Sequence, residues 1–309
     1  MYSHLMQKWK IDPADNKQSF TDIQIKLLCC RYWLLEEWEC LNMAFPFWRL
    51  YYNTFGNASV HFKGVIHNLT SDKVILIPPY TAFSTNLKNN FSESAKESII
   101  GKQVESYDEL KYSVQSGKAD HLFVHFNLDL EPDHVIPGVY EYTADESIKE
   151  LIEEIKRQTI SNVLHINLPI SIAIHALIFH FLKQVPLNAW DTRVFDRRVA
   201  NALTFIEKHL DGKITNEELA SKANMATNSF ARLFHENTNC PLQQFIRKKR
   251  IEKACDLMHH TSDSIDSIAV NCGFIDRQHF SRVFKQAMNI TPAIYKKRHT
   301  LDPDNQHLD

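Results

Sequence analysis

Short runs of alternating apolar and polar residues fill the first half of the chain. Between about Thr21 and Tyr142 these runs are rich in β-branched and aromatic residues, and turn signals such as Asn57 after Gly56 separate them. The clearest runs cover residues 46–53, 58–65, 73–80 and 121–128. Short alternating strands with frequent turns are typical of an all-β sandwich or barrel. We therefore predict an all-β domain over residues 1–143.

The pattern changes to helical spacing over residues 144–190. Apolar residues recur at helical intervals from Ile148 to Ile155. A second helix is predicted from Pro169, a residue suited to the first turn, to Gln184. That helix is apolar nearly all round, so it must be buried either within its own domain or against a partner subunit. The residues alone favour neither arrangement, and a linker is expected after this helix.

An internal repeat occupies the C-terminal third of the chain. The segment FARLFHENTNCPLQQF begins at Phe230, and FSRVFKQAMNITPAIY begins 50 residues later at Phe280. A short helix with a buried small residue is predicted before each copy. Each unit is therefore predicted to be a helix, a tight turn and a second helix, over about 216–238 and about 264–288.

Polar residues mark the predicted ends of these helices. Asn216 is expected to cap the first helix of the first unit, and Asp276 the second helix of the second unit, because such side chains satisfy free amide groups. Gly273 supplies the turn in the second unit. Asn239 and Asn289 are expected to end the two second helices, since Asn tolerates the left-handed conformation.

Spacing separates a buried face from an outward face on the second helix of each unit. Phe230, Leu233 and Phe234 share the buried face in the first unit, and Phe280, Val283 and Phe284 share it in the second. The outward residues are Thr227, Asn228, Ala231 and Arg232 in the first unit and Arg277, Gln278, Ser281 and Arg282 in the second. Arg, Asn and Gln side chains read guanine and adenine edges in the major groove. These eight residues are the predicted DNA-binding residues; the alternative is an ordinary solvated helix face.

A long helix is predicted between the two units, from about Leu242 to His259. Its 18 residues would span about 27 Å, close to one turn of DNA at about 34 Å. The basic run Arg247–Arg250 lies near its start. Four consecutive residues cover all faces of a helix, so we expect Arg250 to form an internal, structural ion pair rather than to touch DNA.

Charge is distributed unevenly along the chain. Residues 193–300 contain 18 Lys and Arg against 11 Asp and Glu, whereas the whole chain has a net charge of −2. A basic C-terminal third on an acidic remainder favours a module that binds a polyanion. Residues 301–309 form an acidic tail.

The C-terminal stretches ARLF, RKKRIEKACDLM, SIDSIAVNCGF and DRQHFSRVFKQAMNITPAIYKKRH resemble the DNA-binding domain of AraC/XylS-type transcription regulators. The resemblance covers about 105 residues, within 191–300. Ala226 stands where the family usually has a capping Ser, Asn239 and Asn289 replace a Gly, and Leu242 stands where Pro is common. None of these departures lies on the predicted base-reading face.

The N-terminal region, from PFWRLYYN to ILIPPYTAF, resembles the sensor domain of the same family. The resemblance implies an α+β protein of two domains. The first would be an all-β, cupin-like jelly roll followed by dimerisation helices over residues 144–190, and the second an all-α tandem helix-turn-helix domain. It also favours a homodimer through the helix Pro169–Gln184. The expected contact face comprises Ile170, Ile174, Leu177, Ile178 and Phe181.

The expected function is that of an effector-responsive transcription regulator, most consistent with an activator. Its partners would be double-stranded DNA, RNA polymerase and a small-molecule effector, either a sugar or a small anion. Trp48, Arg49 and Tyr51 are the candidate effector-binding residues, because an Arg amid aromatic rings suits such ligands. The alternative is that Arg49 pairs with an acid at the rim and the aromatic residues are core.

Residues for catalysis or metal binding are not evident in the sequence. His121 and His125 are four apart on a predicted strand and so about 13 Å apart, too far for one ion. The six cysteines form no C-x-x-C pair, and no nucleotide-binding glycine motif is present. We expect no catalytic residues, no metal and no cofactor. A cupin-type metalloenzyme with a DNA-binding tail and a regulator without an effector stay as alternatives. The chain offers no signal peptide and no membrane span, so a cytoplasmic protein is expected.

Overall fold

A nearly barrel-shaped antiparallel sheet forms the first part of the chain. The computed structural model describes residues 23–87, 98–113, 116–128, 135–161, 166–190, 195–288 and 290–299. In these ranges the strands are β1 (Ile25–Met43), β2 (Trp48–Tyr52), β3 (Ser59–Phe62), β4 (Val65–Asn68), β5 (Lys73–Ile77), β6 (Phe83–Asn86), β7 (Ser98–Gln103), β8 (Ala119–Leu128) and β9 (Tyr140–Thr143). The acidic tail lies outside the described residues.

Strand β1 organises the sheet. The strand order is β4-β3-β6-β1-β8-β2-β5-β9, and β7 also pairs with β1. β1 has 19 residues, and its register shifts between Leu27 and Cys29, between Leu35 and Glu37, and between Cys40 and Met43. Such shifts bend a strand. β1 pairs with β8 over Ile25–Leu35, with β7 over Trp33–Glu39 and with β6 over Cys40–Met43.

The sheet has two buried faces, and alternation along each strand assigns side chains to one or the other. On β2, Trp48, Leu50 and Tyr52 join the hydrophobic cluster that contains the helices after the sheet. Tyr51, between them, belongs to the cluster on the opposite face. The first cluster contains residues of α2 (Glu146–Ser161) and α3 (Leu168–Leu182), and also Leu110 of α1 (Tyr107–Ser113), a short helix between β7 and β8.

Helix α3 buries the face that was expected to contact a partner subunit. Ile170, Ile174, Leu177, Ile178 and Phe181 are each at most 2% exposed within this single chain. That expectation was wrong for a physical reason: the sheet has an apolar face that needs a cover, and α3 provides it. The opposite side of α3 leaves Leu168, Ile172 and Phe179 exposed by 73%, 60% and 41%.

Seven helices form the C-terminal region in the described residues. They are α4 (Arg197–Lys208), α5 (Asn216–Lys222), α6 (Thr227–Thr238), α7 (Leu242–His260), α8 (Ile265–Asn271), α9 (Arg277–Met288) and α10 (Pro292–His299). α5 and α6 occupy the residues predicted for the first helix-turn-helix unit, and α8 and α9 those of the second. α7 coincides with the long helix predicted between the two units. No helix within the described ranges is long and apolar enough to cross a membrane.

The helix ends follow the sequence expectations with one exception. Asp276 accepts a hydrogen bond from the His279 amide at 2.6 Å, and Asn239 ends α6 in the left-handed conformation with φ of 52°. Asn216 does not cap α5, because the preceding Thr215 accepts the bond from the Glu218 amide at 3.1 Å. Asn289 lies outside the described residues.

Gly273 and Arg250 both contact the turn that follows α4. Gly273 has φ of +75°, and a Cβ there would lie 2.2 Å from the carbonyl oxygen of Leu210. Arg250 donates from Nε to the same oxygen at 3.0 Å and from Nη2 to the Gly212 oxygen at 2.5 Å. Arg250 thus has the structural role that was expected. Its partners, however, are backbone carbonyl oxygens in the turn after α4 and not an acidic side chain.

Candidate nucleic-acid interface and sensor cavity

Helices α6 and α9 each present a polar face to solvent because paired phenylalanines fix the opposite face. Phe230 and Phe234 are fully buried in the first unit, as are Phe280 and Phe284 in the second. The residues predicted to read DNA all lie on the opposite sides. Asn228, Arg232, Arg277, Gln278 and Arg282 are exposed, and Thr227, Ala231 and Ser281 are partly exposed.

Two of the outward arginines form surface ion pairs. Arg232 lies 3.7 Å from Glu236 on the same helix, and Arg277 lies 3.0 Å from Asp266 on α8. Exposed pairs of this kind contribute about 0–1 kcal/mol. Exchange of these carboxylate partners for a base edge or a phosphate would therefore cost little free energy.

Helix α7 belongs to the cores of both units. Leu242 and Ile246 pack in the cluster that contains α4, α5 and α6. Ile251, Cys255 and Met258 pack in the cluster that contains α8, α9 and α10. A helix of 19 residues is about 28 Å long. The two outward faces are thus held by one rigid element.

A cavity of about 70 Å³ lies on the face of the sheet opposite α2 and α3. Its lining is Trp33, Leu35, Trp38, Met43, Phe45, Arg49, Tyr51, Ile99, His121, Phe123, His125 and His259. A single water needs roughly 10–15 Å³ by this measure, so the space admits several waters or a small organic molecule.

Arg49 is the cation of this cavity. Its side chain is buried, its Nη1 donates to the Tyr51 hydroxyl at 2.8 Å, and its guanidinium lies 3.4 Å from the centre of the Phe45 ring. Its Nε has no hydrogen-bond partner among the described residues. No carboxylate pairs with Arg49 among the residues that the structure describes. Trp48 does not share the cavity; it stacks on Phe126 on the other face, with ring centres 5.9 Å apart.

Burial keeps His121 and His125 neutral. Burial, and to a smaller degree the Arg49 charge, lower the pKa of His121 to about 3. The Nδ1 of this ring lies 2.7 Å from the Asn53 side-chain oxygen, to which the neutral ring donates. The same causes hold the pKa of His125 well below its ordinary value of 6.5.

The C-terminal end of α7 packs directly on this face of the sheet. The His259 ring meets those of Phe45 and Phe47 edge-on, with centres 5.1 and 5.2 Å away. His260 Nε2 lies 3.2 Å from His125 Nδ1. Burial lowers the pKa of the His260 ring to about 4.

A buried carboxyl group adds to this contact. The Asn127 amide on β8 donates to Asp256 Oδ2 at 3.1 Å, and burial raises the pKa of Asp256 to about 7. The helix that carries both helix-turn-helix units is therefore fixed to the wall of the cavity. This contact cannot be predicted from the sequence, because its residues come from segments more than 100 residues apart and show no shared pattern.

Comparison with known proteins agrees with this geometry. A family model described as "Helix-turn-helix domain" matches residues 219–298. Over 119 residues the chain is 31% identical to the Transposon Tn10 TetD protein of Escherichia coli, which corresponds to 38% of this chain and 86% of that protein. The chain belongs to the AraC/XylS family of transcription regulators.

A second relative matches a smaller part of the chain, and a solved structure aligns with most of it. The chain is 36% identical over 74 residues to the HTH-type transcriptional activator RhaR of Mannheimia succiniciproducens, which is 24% of this chain and only 27% of that relative. The solved structure of ToxT from Vibrio cholerae aligns with 91% of this chain and 100% of its own, at 13% identity and a TM-score of 0.48. The chain thus matches only about a quarter of RhaR's length.

Proposed function

We propose that this protein is a sequence-specific transcription activator that reads two successive major grooves of double-stranded DNA. The observation that carries the proposal is the doubled unit: α6 and α9 present Arg, Asn and Gln side chains outward from phenylalanine-packed cores. Helix α7 spaces them by a length close to one DNA turn. Arg232 and Arg282 are the proposed guanine-reading residues, and activation implies contact with RNA polymerase in the cytoplasm.

The β-sheet is proposed to be a cupin-like sensor domain whose cavity binds a small organic anion. A sugar would need several polar partners to replace its water contacts. The cavity offers mostly aromatic and apolar walls around one buried cation, Arg49, with a free donor at Nε. A carboxylate accepts two hydrogen bonds from a guanidinium and so fits this setting. Tyr51 would hold the guanidinium in place.

A homodimer is proposed through the exposed side of α3. Leu168, Ile172 and Phe179 form an apolar stripe along one side of this helix. A second copy, related by a two-fold axis, would cover the stripe with its own. Two linked DNA-binding domains would gain affinity through their effective concentration on a paired site. The named relatives are transcription regulators, so the alternative of a metalloenzyme gains no support from them.

The test uses the full chain and selection from a random DNA library. Selected duplexes should contain two short specified segments about one helical turn apart, and should bind far more tightly than random DNA at physiological salt. Addition of small carboxylates should change this affinity in the wild type but not in Arg49→Met. Equal affinity for selected and random DNA would overturn the proposed function. If carboxylates change the DNA affinity of Arg49→Met as much as that of the wild type, only the sensor assignment is overturned.

A further inference from the structure

Three potential metal ligands meet where the sheet contacts α7. They are Cys29 on β1, His125 on β8 and His260, the last residue of α7. One Sγ atom and one ring nitrogen from each histidine all lie within 4.8 Å of one another. Two ligands therefore come from the sheet and one from the helix between the DNA-binding units.

The sheet fixes the first two ligands. Cys29 and His125 are direct partners across the antiparallel pair of β1 and β8, immediately after the register shift that follows Leu27. Residues opposite each other in such a pair have Cβ atoms about 4.5–5.5 Å apart on the same face. Both side chains therefore lie on the same side of the site, and no loop has to move to bring them together.

The backbone of α7 orients the third ligand. His260 Nδ1 lies 2.7 Å from the Asp256 carbonyl oxygen one turn earlier, so the neutral ring donates there. This leaves the lone pair of Nε2 directed at His125. A ligand histidine that donates its other N–H to a backbone carbonyl is the usual arrangement in protein zinc sites.

The separations agree with tetrahedral coordination. Zn–N bonds of about 2.0–2.1 Å place two nitrogen ligands about 3.3 Å apart in a tetrahedron. The two ring nitrogens are 3.2 Å apart. A hydrogen bond between the rings would also give this distance, but it does not involve the Cys29 thiol, whose Sγ lies within 4.8 Å of a nitrogen of each ring. Cys29 and His260 are only partly buried, which leaves a path for an ion.

We propose that Cys29, His125 and His260 bind one Zn²⁺ ion that joins the sheet to α7. Cys29 would release its proton on binding, since a thiolate is the ligand. The fourth position would face the cavity that His125 also lines, where a water or a small anion completes the tetrahedron. The ion would tie the position of the helix between the two DNA-binding units to that of the sensor sheet.

The first experiment is titration of the chelator-stripped full chain with Zn²⁺ against a chromophoric competitor. We expect one tightly bound ion per chain. Cys29→Ser, His125→Gln and His260→Gln should each weaken binding by at least about 100-fold, because loss of a residue that only orients a ligand already costs roughly 10- to 100-fold. His209→Gln, on an exposed ring just after α4, and Cys240→Ser, on a partly exposed thiol far along the chain, should leave affinity unchanged.

The second experiment does not depend on the folding of any variant. Co²⁺ replaces Zn²⁺ in tetrahedral sites, and thiolate ligation gives a sulfur-to-cobalt charge-transfer band. The wild type should show this band at one equivalent of Co²⁺. Its absence, or a loss of Zn²⁺ affinity in His209→Gln or Cys240→Ser equal to that in the ligand variants, would overturn the proposal.

Discussion

Lys156 and Asp120 form an ion pair that is almost completely buried. Lys156 Nζ lies 3.3 Å from Asp120 Oδ2, and the two side chains are 1% and 0% exposed. Asp120 also accepts hydrogen bonds from the Tyr32 hydroxyl at 2.7 Å and from the amides of Thr54 and Phe55 at 2.7 and 2.8 Å. The pair therefore attaches α2 to the sheet through a buried network of polar groups.

Replacement of Lys156 by Met should therefore destabilise the fold. Removal of one partner from a buried pair leaves an uncompensated charge, which costs about 3–5 kcal/mol. Urea unfolding measures the loss. Lys149→Met is the matched control: Lys149 lies on the same helix and pairs with Glu146 at the surface, so its loss should cost less than about 1 kcal/mol. Equal effects of the two variants would contradict the structural role of the buried pair.

Acid should destabilise the β-sheet through His121. The unfolded chain protonates this ring below its ordinary pKa of 6.5, whereas the folded chain does so only near a pKa of about 3. The group thus has no effect on stability above pH 6.5 and lowers it as the pH falls from 6.5 toward 3, by about 2 kcal/mol at pH 5. Urea unfolding at several pH values should show a smaller loss at pH 5 in His121→Gln. The same pH dependence in this variant and in the wild type would assign the effect to other groups.

The outward arginines should determine sequence preference. We expect Arg232→Ala and Arg282→Ala each to weaken binding to selected DNA by about 1–3 kcal/mol, with a smaller loss on random DNA, because base contacts are lost. Fluorescence anisotropy with both duplexes measures this. Lys208→Ala removes the same charge from α4, away from the reading faces, and should affect the two duplexes alike. Equal losses on both duplexes in the arginine variants would assign these residues to phosphate contacts.

The exposed side of α3 should determine oligomeric state. Ile172→Glu combined with Phe179→Lys places charges on the proposed contact stripe without touching the core, so a folded monomer is expected. Sedimentation of the wild type and the variant measures this, and the variant should bind a paired DNA site more weakly than the wild type does. A wild type that is monomeric at micromolar concentration would remove the basis of the dimer. Leu177→Glu with Phe181→Lys, on the opposite side of the helix, should instead misfold.

The sequence predicts those features of the fold that depend on local periodicity, namely which side of a helix or strand a residue lies on. Phe230 and Phe280 repeat in matched surroundings, so spacing alone gives the buried side of α6 and α9 and therefore the outward side. Alternation likewise places Arg49 and Tyr51 on one face of β2. These relations involve neighbours along the chain, where helix and strand geometry is almost invariant.

Contacts between segments that are distant in the sequence cannot be predicted from local periodicity. Helix α3 is apolar nearly all round, so its pattern could not show that Ile174 and Phe181 face the sheet of the same chain. Their spacing on one strand relates His121 and His125 to each other, whereas the fold directs them to different partners, Asn53 and His260. Cys29, His125 and His260 meet only because α7 packs on the sheet, and no spacing rule describes that contact.

His259 is a wall of the cavity and also a part of the helix that carries both DNA-binding units. If a bound anion changes the position of this ring and thereby the affinity for DNA, thermodynamic linkage requires the reverse effect of equal size. Operator DNA would then change the anion's dissociation constant by the same factor. The promoter itself would act as an effector of the sensor, so protein bound at its target site would respond to a different concentration of the anion than free protein does.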